Sequence, residues 1–287
     1  MIGLTVLDSP LSKVYPELYN ISRPITTPDV PVIVAASMLT AYDAPMLPLT
    51  KVGSQLHVEK NGVRLYQAVG SFPIISLFLQ TKPRDYYKVL WNSCSTTSVW
   101  IGAMSYEEPL DKLLGIFALT GFGDARVDVE GSPPALITLN EVVSLYKERK
   151  LGCSVPVKEV ASEAVFIDPK AMLIDAMSLM CEKRIRRLFL RGRKGEYISD
   201  RSILTLLFSP KGLKAARDSP DSWTDFKVSD MQPTKAHLVS PDAMVEDVAS
   251  LAEPGRDVFM LWDWSSMVTR WDLAIKPWKA GKLNLSR

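Results

Sequence analysis

Cysteine and histidine are scarce in this sequence. Cys94, Cys153 and Cys181 stand far apart, as do His57 and His237. An odd, scattered set of cysteines excludes a disulfide framework and fits a reducing cytoplasm. The histidines have no metal-site spacing, and His57 reads as plain surface. Motifs of catalysis are missing as well: no phosphate-binding Gly-x-x-x-x-Gly-Lys-Ser/Thr, no His-Glu-x-x-His, no Gly-x-Ser-x-Gly. Gly121-Phe122-Gly123 lacks a third glycine and precedes a strand-like Ala125-Arg126-Val127, so it is no dinucleotide fingerprint. No carboxylates form a recognisable acid–base pair. The expectation is a chain that is not an enzyme and uses no catalytic cofactor.

An excess of one charge is also lacking. The formal net charge is +2, so a nucleic-acid or membrane partner would need a local patch. The most apolar stretch, residues 65–81, is uncharged, but Gly70, Ser71 and Pro73 interrupt it. It falls short of the roughly 20 apolar residues a spanning helix needs, and reads as a buried strand followed by a buried helix. Residues 1–8 lack a basic start followed by an apolar core, so no signal peptide is expected. What is present is globular material: 287 residues, 47% hydrophobic and 23% charged, enough for about two domains.

An internal repeat organises that material. Residues 169–179 and 241–251 share Pro169/Pro241, Ala171/Ala243, Met172/Met244, Asp175/Asp247, Ser178/Ser250 and Leu179/Leu251. Each predicts an amphipathic helix capped by Asp168 or Ser240, with proline at its first position. Leu173, Ala176, Met177 and Met180 make one apolar face; Val245, Val248, Ala249 and Ala252 make the other. Two strands follow each helix, at 187–190 and 196–199, then at 258–261 and 267–269.

The first half carries weaker copies. Pro28, Val32, Ala35, Ser37 and Met38 keep the spacing of the third unit, and residues 46–49 keep the place of its strand. Leu110, Leu113, Leu114 and Phe117 form another helix face, followed by strands at 125–129 and 135–137 and by Thr138. The chain therefore reads as an α/β protein of four strand–helix–strand–strand–helix units. One unit buries too little surface to stand alone, so pairing is expected. The pairs would be residues 1–151 (units about 22–82 and 88–150) and 152–287 (units about 155–210 and 226–278).

The third and fourth units resemble CBS motifs, the modules first defined in cystathionine beta-synthase. The family pattern is a short strand, a proline-led helix, two strands, then Ser/Thr-x-x-Asp opening a helix. Thr269-Arg270-Trp271-Asp272 matches it. The third unit matches through 157–160, 165–169, Gly195 and Ser199, and departs at Ser202, where the family has Asp. Thr138-Leu139-Asn140-Glu141 is an acidic variant, and the first unit puts Gly70 and Pro73 in the two positions. The resemblance spans roughly residues 22–278.

It implies four CBS motifs in two pseudo-symmetric pairs, as in stand-alone archaeal proteins with four motifs. They would form either a one-chain disc similar to the gamma subunit of AMP-activated protein kinase or a homodimer. It also implies a regulatory sensor binding AMP, ADP or ATP in clefts between paired motifs and signalling to a regulated partner protein. The acid would take the ribose hydroxyls, and the Ser/Thr and nearby cations the phosphates. On that basis the foremost site is Thr269, Arg270 and Asp272, lined by Ala236, His237 and Leu238. Thr138 and Glu141 form a second, and Ser199 and Arg201, with Arg186 and Arg187, a third without its acid.

Plainer readings stand beside these. Thr269 and Asp272 also fit a simple capping box. The basic run of Lys183, Arg184, Arg186, Arg187, Arg191, Arg193 and Lys194 fits a phosphate clamp, a nucleic-acid surface or a solvated face over Ile185, Leu188 and Leu190. Trp262, Trp264, Trp271 and Trp278 could stack bases or fill an interface. A structural adaptor with vestigial clefts is the remaining alternative.

Overall fold

The apolar faces become helices packed on short strands in the computed structural model, which describes residues 5–18, 24–42, 44–50, 57–253 and 255–283. A short α1 (Leu11–Val14) precedes the repeats. The first repeat holds α2 (Val32–Ala41), β1 (Met46–Pro48), β2 (His57–Lys60), β3 (Val63–Gly70) and α3 (Ser71–Gln80), with α4 (Tyr86–Leu90) appended. The second holds β4 (Val99–Ser105), α5 (Leu110–Thr120), β5 (Asp124–Asp128), β6 (Ala135–Thr138) and α6 (Leu139–Lys147). The third holds β7 (Ser162–Glu163), β8 (Phe166–Ile167), α7 (Leu173–Lys183), β9 (Arg187–Leu190), β10 (Glu196–Ser199) and α8 (Asp200–Leu207), with α9 (Pro210–Asp218) appended. The fourth holds β11 (Thr234–Lys235), β12 (His237–Val239), α10 (Val245–Ser250), β13 (Val258–Leu261), β14 (Ser266–Thr269) and α11 (Arg270–Lys279). The start of the first unit, near residue 22, lies outside the described residues.

Two helices begin later than the sequence suggests. Met172 and Met244, not Asp168 and Ser240, precede the first turns of α7 and α10. Asp168 instead accepts the Lys170 amide at 2.7 Å and Ser240 the Asp242 amide at 3.3 Å, so each Xaa-Pro pair makes a turn. Long-range pairing then holds the loops extended. Leu173 donates to the Phe226 carbonyl and Val228 to that of Ala171, while Val157 donates to Ala243 and Val245 to Val155. Tertiary pairing between the third and fourth repeats thus outweighs the local capping signal.

The opening strands are exchanged within the second pair. β7, from the third repeat, pairs antiparallel with β14 of the fourth. β11, from the fourth, pairs antiparallel with β10 of the third. After each crossing the chain turns home: β8 runs parallel to β9 and β12 parallel to β13. In the first pair a single long β4 does both jobs, antiparallel to β3 and parallel to β5, so one six-stranded sheet carries both repeats.

Helical cores join the pairs crosswise. One core gathers Val32, Leu39, Ile74 and Phe78 of the first repeat with Leu173, Met180, Ile203 and Leu207 of the third. The other gathers Leu110, Phe117, Val142 and Leu145 of the second with Val245, Val248, Leu273 and Ile275 of the fourth. Between sheets, Ala164, Phe189, Tyr197, Ala236, Val258 and Met260 fill the gap in the second pair. Four repeats of one chain therefore close on themselves. Buried bonds tie the contacts: the Tyr146 hydroxyl on α6 donates to the Leu273 carbonyl on α11 at 3.0 Å.

Candidate functional site

The last strand of each repeat ends on a residue that caps the closing helix: Gly70, Thr138, Ser199 and Thr269. Three residues after each cap stand Pro73, Glu141, Ser202 and Asp272. The starts of α3 and α8 meet directly, because the Ser71 hydroxyl hydrogen-bonds the Asp200 carboxylate. Free amide donors at helix starts favour anions.

The foremost sequence candidate is closed. Asp272 is only 3% exposed, and Oδ2 accepts the Thr269 amide and hydroxyl, each at 2.8 Å. Oδ1 accepts the Ser162 hydroxyl at 2.7 Å and pairs with the Lys276 ammonium at 2.8 Å. The carboxylate is a cap and a tie, not an open ribose acceptor. β7 of the third repeat pairs with β14 here, and β12 joins the same sheet through β13, whereas β11 pairs with β10. Ala236 is buried in the inter-sheet core. His237 sits on β12 at the sheet edge, where its Nε2 accepts from Arg256 at 3.3 Å, and Leu238 is exposed. Burial, then Arg256, keeps His237 below its ordinary pKa.

Glu141 makes the same cap with more exposure than Asp272. Its Oε2 accepts the Thr138 amide and hydroxyl at 2.7 Å, and its side chain is half-buried. Its helix packs on α11, where the Tyr146 hydroxyl donates to the Leu273 carbonyl. In the third repeat, Ser199 and Ser202 cap each other at 3.2 Å, with no acid at that position.

The basic run divides. Arg193 pairs with Glu196, while Arg186 and Arg187 turn to the helix starts. Arg186 Nε meets Asp200 Oδ2 at 2.7 Å, and Asp200 is 2% exposed. Arg187 pairs with Asp257, and Arg270 Nη1 lies 3.5 Å from the same carboxylate. The third and fourth repeats thus carry one ion pair with reversed signs. Arg186 and Asp257 each precede the strand residue facing a cap, and Asp200 and Arg270 each open a helix.

Asp257 is the centre of this cluster. Burial alone would raise its pKa, but Arg187, Arg270 and Arg186 outweigh burial and hold it below the ordinary carboxylate value. Burial lowers the pKa of Arg201, against Asp257 and together with Arg270. Burial lowers that of Arg270 too, against Asp257. Guanidinium stays charged throughout this range. Arg187 and Arg270 therefore share one carboxylate, while Arg186 Nε is engaged by Asp200 and Arg270 Nη2 donates to the Glu253 carbonyl at 2.7 Å.

Asp200, Asp257, Ser71 and Lys276 were not singled out from sequence. Aligning the repeats would have flagged three of them: Asp257 stands where the third repeat has Arg186, Asp200 where the fourth has Arg270, and Lys276 where the others have leucine. The tryptophans are structural where buried: Trp271 and Trp278 pack on the second core, and Trp278 Nε1 donates to Asp111 at 2.7 Å. Trp264 packs at the inter-sheet core beneath Lys194, and Trp262 is exposed. Among the described residues no group of three His, Cys, Asp or Glu could hold a metal, and no helix is long and apolar enough to cross a membrane.

No family model and no curated protein matches the sequence. Among solved structures, protein MJ1225 of Methanocaldococcus jannaschii, described as a candidate archaeal homologue of g-AMPK, superposes with a TM-score of 0.75 at 12% identity, covering 91% of this chain and 98% of that one. The CBS-pair protein CBSX2 of Arabidopsis thaliana matches 45% of this chain and 97% of its own, at 18% identity and a TM-score of 0.34. The chain has the tandem CBS fold, with four motifs in one polypeptide.

Proposed function

We propose that this protein is a non-catalytic sensor of adenine nucleotides, AMP, ADP or ATP, that signals to a partner protein. The carrying observation is the pairing of Arg187 and Arg270 with Asp257 at the start of α11, matched by the Arg186–Asp200 pair at the start of α8. Phosphate oxygens would be met by the guanidinium groups of Arg187, Arg201 and Arg270, whose planar forks match an oxyanion. Thr138 and Glu141 would hold the sugar, since a carboxylate can accept from both ribose hydroxyls. This moves the foremost cleft from the fourth repeat to the second.

The crosswise cores supply a route to output. A ligand bridging α6 and α11 would favour one packing of the second repeat on the fourth. A partner that recognises that packing would read the occupancy. A CBSX2 structure in complex with AMP and a bacterial CNNM/CorC transporter CBS domain in complex with ATP supply the precedent for the ligand class.

A thermal-shift panel tests the reading. A nucleotide at a hundred times its Kd stabilises a native state by about 2.7 kcal/mol. AMP, ADP or ATP is expected to raise the melting temperature, with adenosine giving a smaller rise. Arg201→Gln should remove most of the nucleotide shift and spare adenosine, whereas Glu141→Gln should weaken both. A flat response to all nucleotides, or equal losses for adenosine and ATP in Arg201→Gln, would reject it.

A further inference from the structure

The four repeats differ at one position inside their last helices. Seven residues after each cap stand Leu77, Leu145, Leu206 and Lys276. Only the fourth can donate a hydrogen bond there, and it uses every donor it has. The Lys276 ammonium donates to the Val160 carbonyl at 2.7 Å, to Ser162 Oγ at 2.8 Å and to Asp272 Oδ1 at 2.8 Å, with the Ala161 carbonyl at 3.2 Å. An ammonium has three protons, so this cradle is complete.

We propose that Lys276 is an internal plug that closes the fourth cleft to nucleotide. The inference rests on the nucleotide reading above and decides which cleft can serve it. Three features carry it. Together with Ser162, which it also holds, the plug fills the carboxylate oxygen that Thr269 leaves available, so a ribose diol finds no acceptor. It ties residues 160–162 of the third repeat to α11. It is retractable: the Lys276 side chain is 36% exposed, reaching inward from the surface on a flexible stem. Leucine in the other repeats can fill space but cannot bridge an exchanged strand to an acid. The strand exchange is what brings Ser162 within reach, so the plug belongs to this pair's topology and not to α11 alone.

The test counts AMP bound at saturation by equilibrium dialysis to wild type, Lys276→Leu and Lys276→Met. Both variants keep an apolar stem, so one serves if the other does not fold. Either variant is expected to bind one more equivalent than wild type. An equal count in wild type that does bind AMP overturns the plug. Amide exchange of residues 160–163 gives a readout free of nucleotide: it should be about ten-fold faster in the variants, as a released segment opens locally. If wild type binds no AMP, the nucleotide reading fails by itself. Unchanged exchange then rejects the plug too, and accelerated exchange retains the tie between strand and helix.

Discussion

Asp257→Asn is expected to destabilise the protein by about 3 kcal/mol, and inorganic phosphate is expected to restore part of that loss. The side chains of Arg187, Arg270 and Asp257 are 22%, 16% and 20% exposed. Removing one partner of such a pair leaves charge inside with little water, a cost of about 3–5 kcal/mol for full burial. Partial exposure brings the figure to the lower end. At about 2–4 °C per kcal/mol for a chain near this size, the melting temperature should fall by roughly 6–12 °C. Amide in place of carboxylate also leaves Arg187 and Arg270 without their common acid, which makes the cluster a stronger anion site.

Thermal unfolding in phosphate and in chloride at equal ionic strength separates the effects: phosphate should rescue the variant more than wild type. A variant as stable as wild type, or one helped equally by both salts, would contradict the cluster's role. The pH dependence has a definite sign. The folded pKa of Asp257 lies below the ordinary value. Its contribution is therefore complete above about pH 3.9 and is lost as pH falls through the lower folded value. Asp257→Asn should lack that part of the acid slope.

The second large effect separates a structural acid from a ligand acid. Asp272→Ala removes the Thr269 capping bonds, the Ser162 bond and the Lys276 ion pair together. A lost cap costs about 1 kcal/mol, and a lost charge-assisted bond about 1.5–3 kcal/mol. A loss of about 2–4 kcal/mol is expected in urea unfolding, with the AMP-induced stabilisation kept. Asp272→Asn, which preserves acceptor oxygen for the cap, should lose less. If Asp272→Ala instead kept its stability and lost its response to AMP, the fourth cleft would be the ligand site after all.

The repeats were legible because amphipathic helices leave a strong periodic signal. Leu110, Leu113, Leu114 and Phe117 are all fully buried, as are most of the faces read in the third and fourth units. Strand exchange was not legible, because Ser162–Glu163 and Thr234–Lys235 are too short to show a period of two. The hairpin of β2 and β3 did have a signal. Asn61 and Gly62 adopt positive φ of 52° and 73°, as a two-residue hairpin turn demands, and Asn-Gly announces it.

The site was half legible. Arg186, Arg187, Arg201 and Arg270 were chosen from motif position and local charge, and of these Arg187 and Arg270 meet on one carboxylate. Their acids were not, since Asp257 lies 70 residues from Arg187 in sequence and meets it only through the packing of two repeats. Asp272 illustrates the limit of a motif: four residues alone cannot say whether a carboxylate faces a ligand or a neighbour such as Lys276.

The account turns on whether the arginines beside Asp257 receive the phosphate of a nucleotide, and a crystal structure of the AMP complex answers that directly. It should show phosphate oxygens about 3 Å from the guanidinium nitrogens of Arg201 and Arg270, with the ribose hydroxyls on Glu141. AMP bound away from these arginines, or crystals that take up no AMP at saturating concentration, would contradict it.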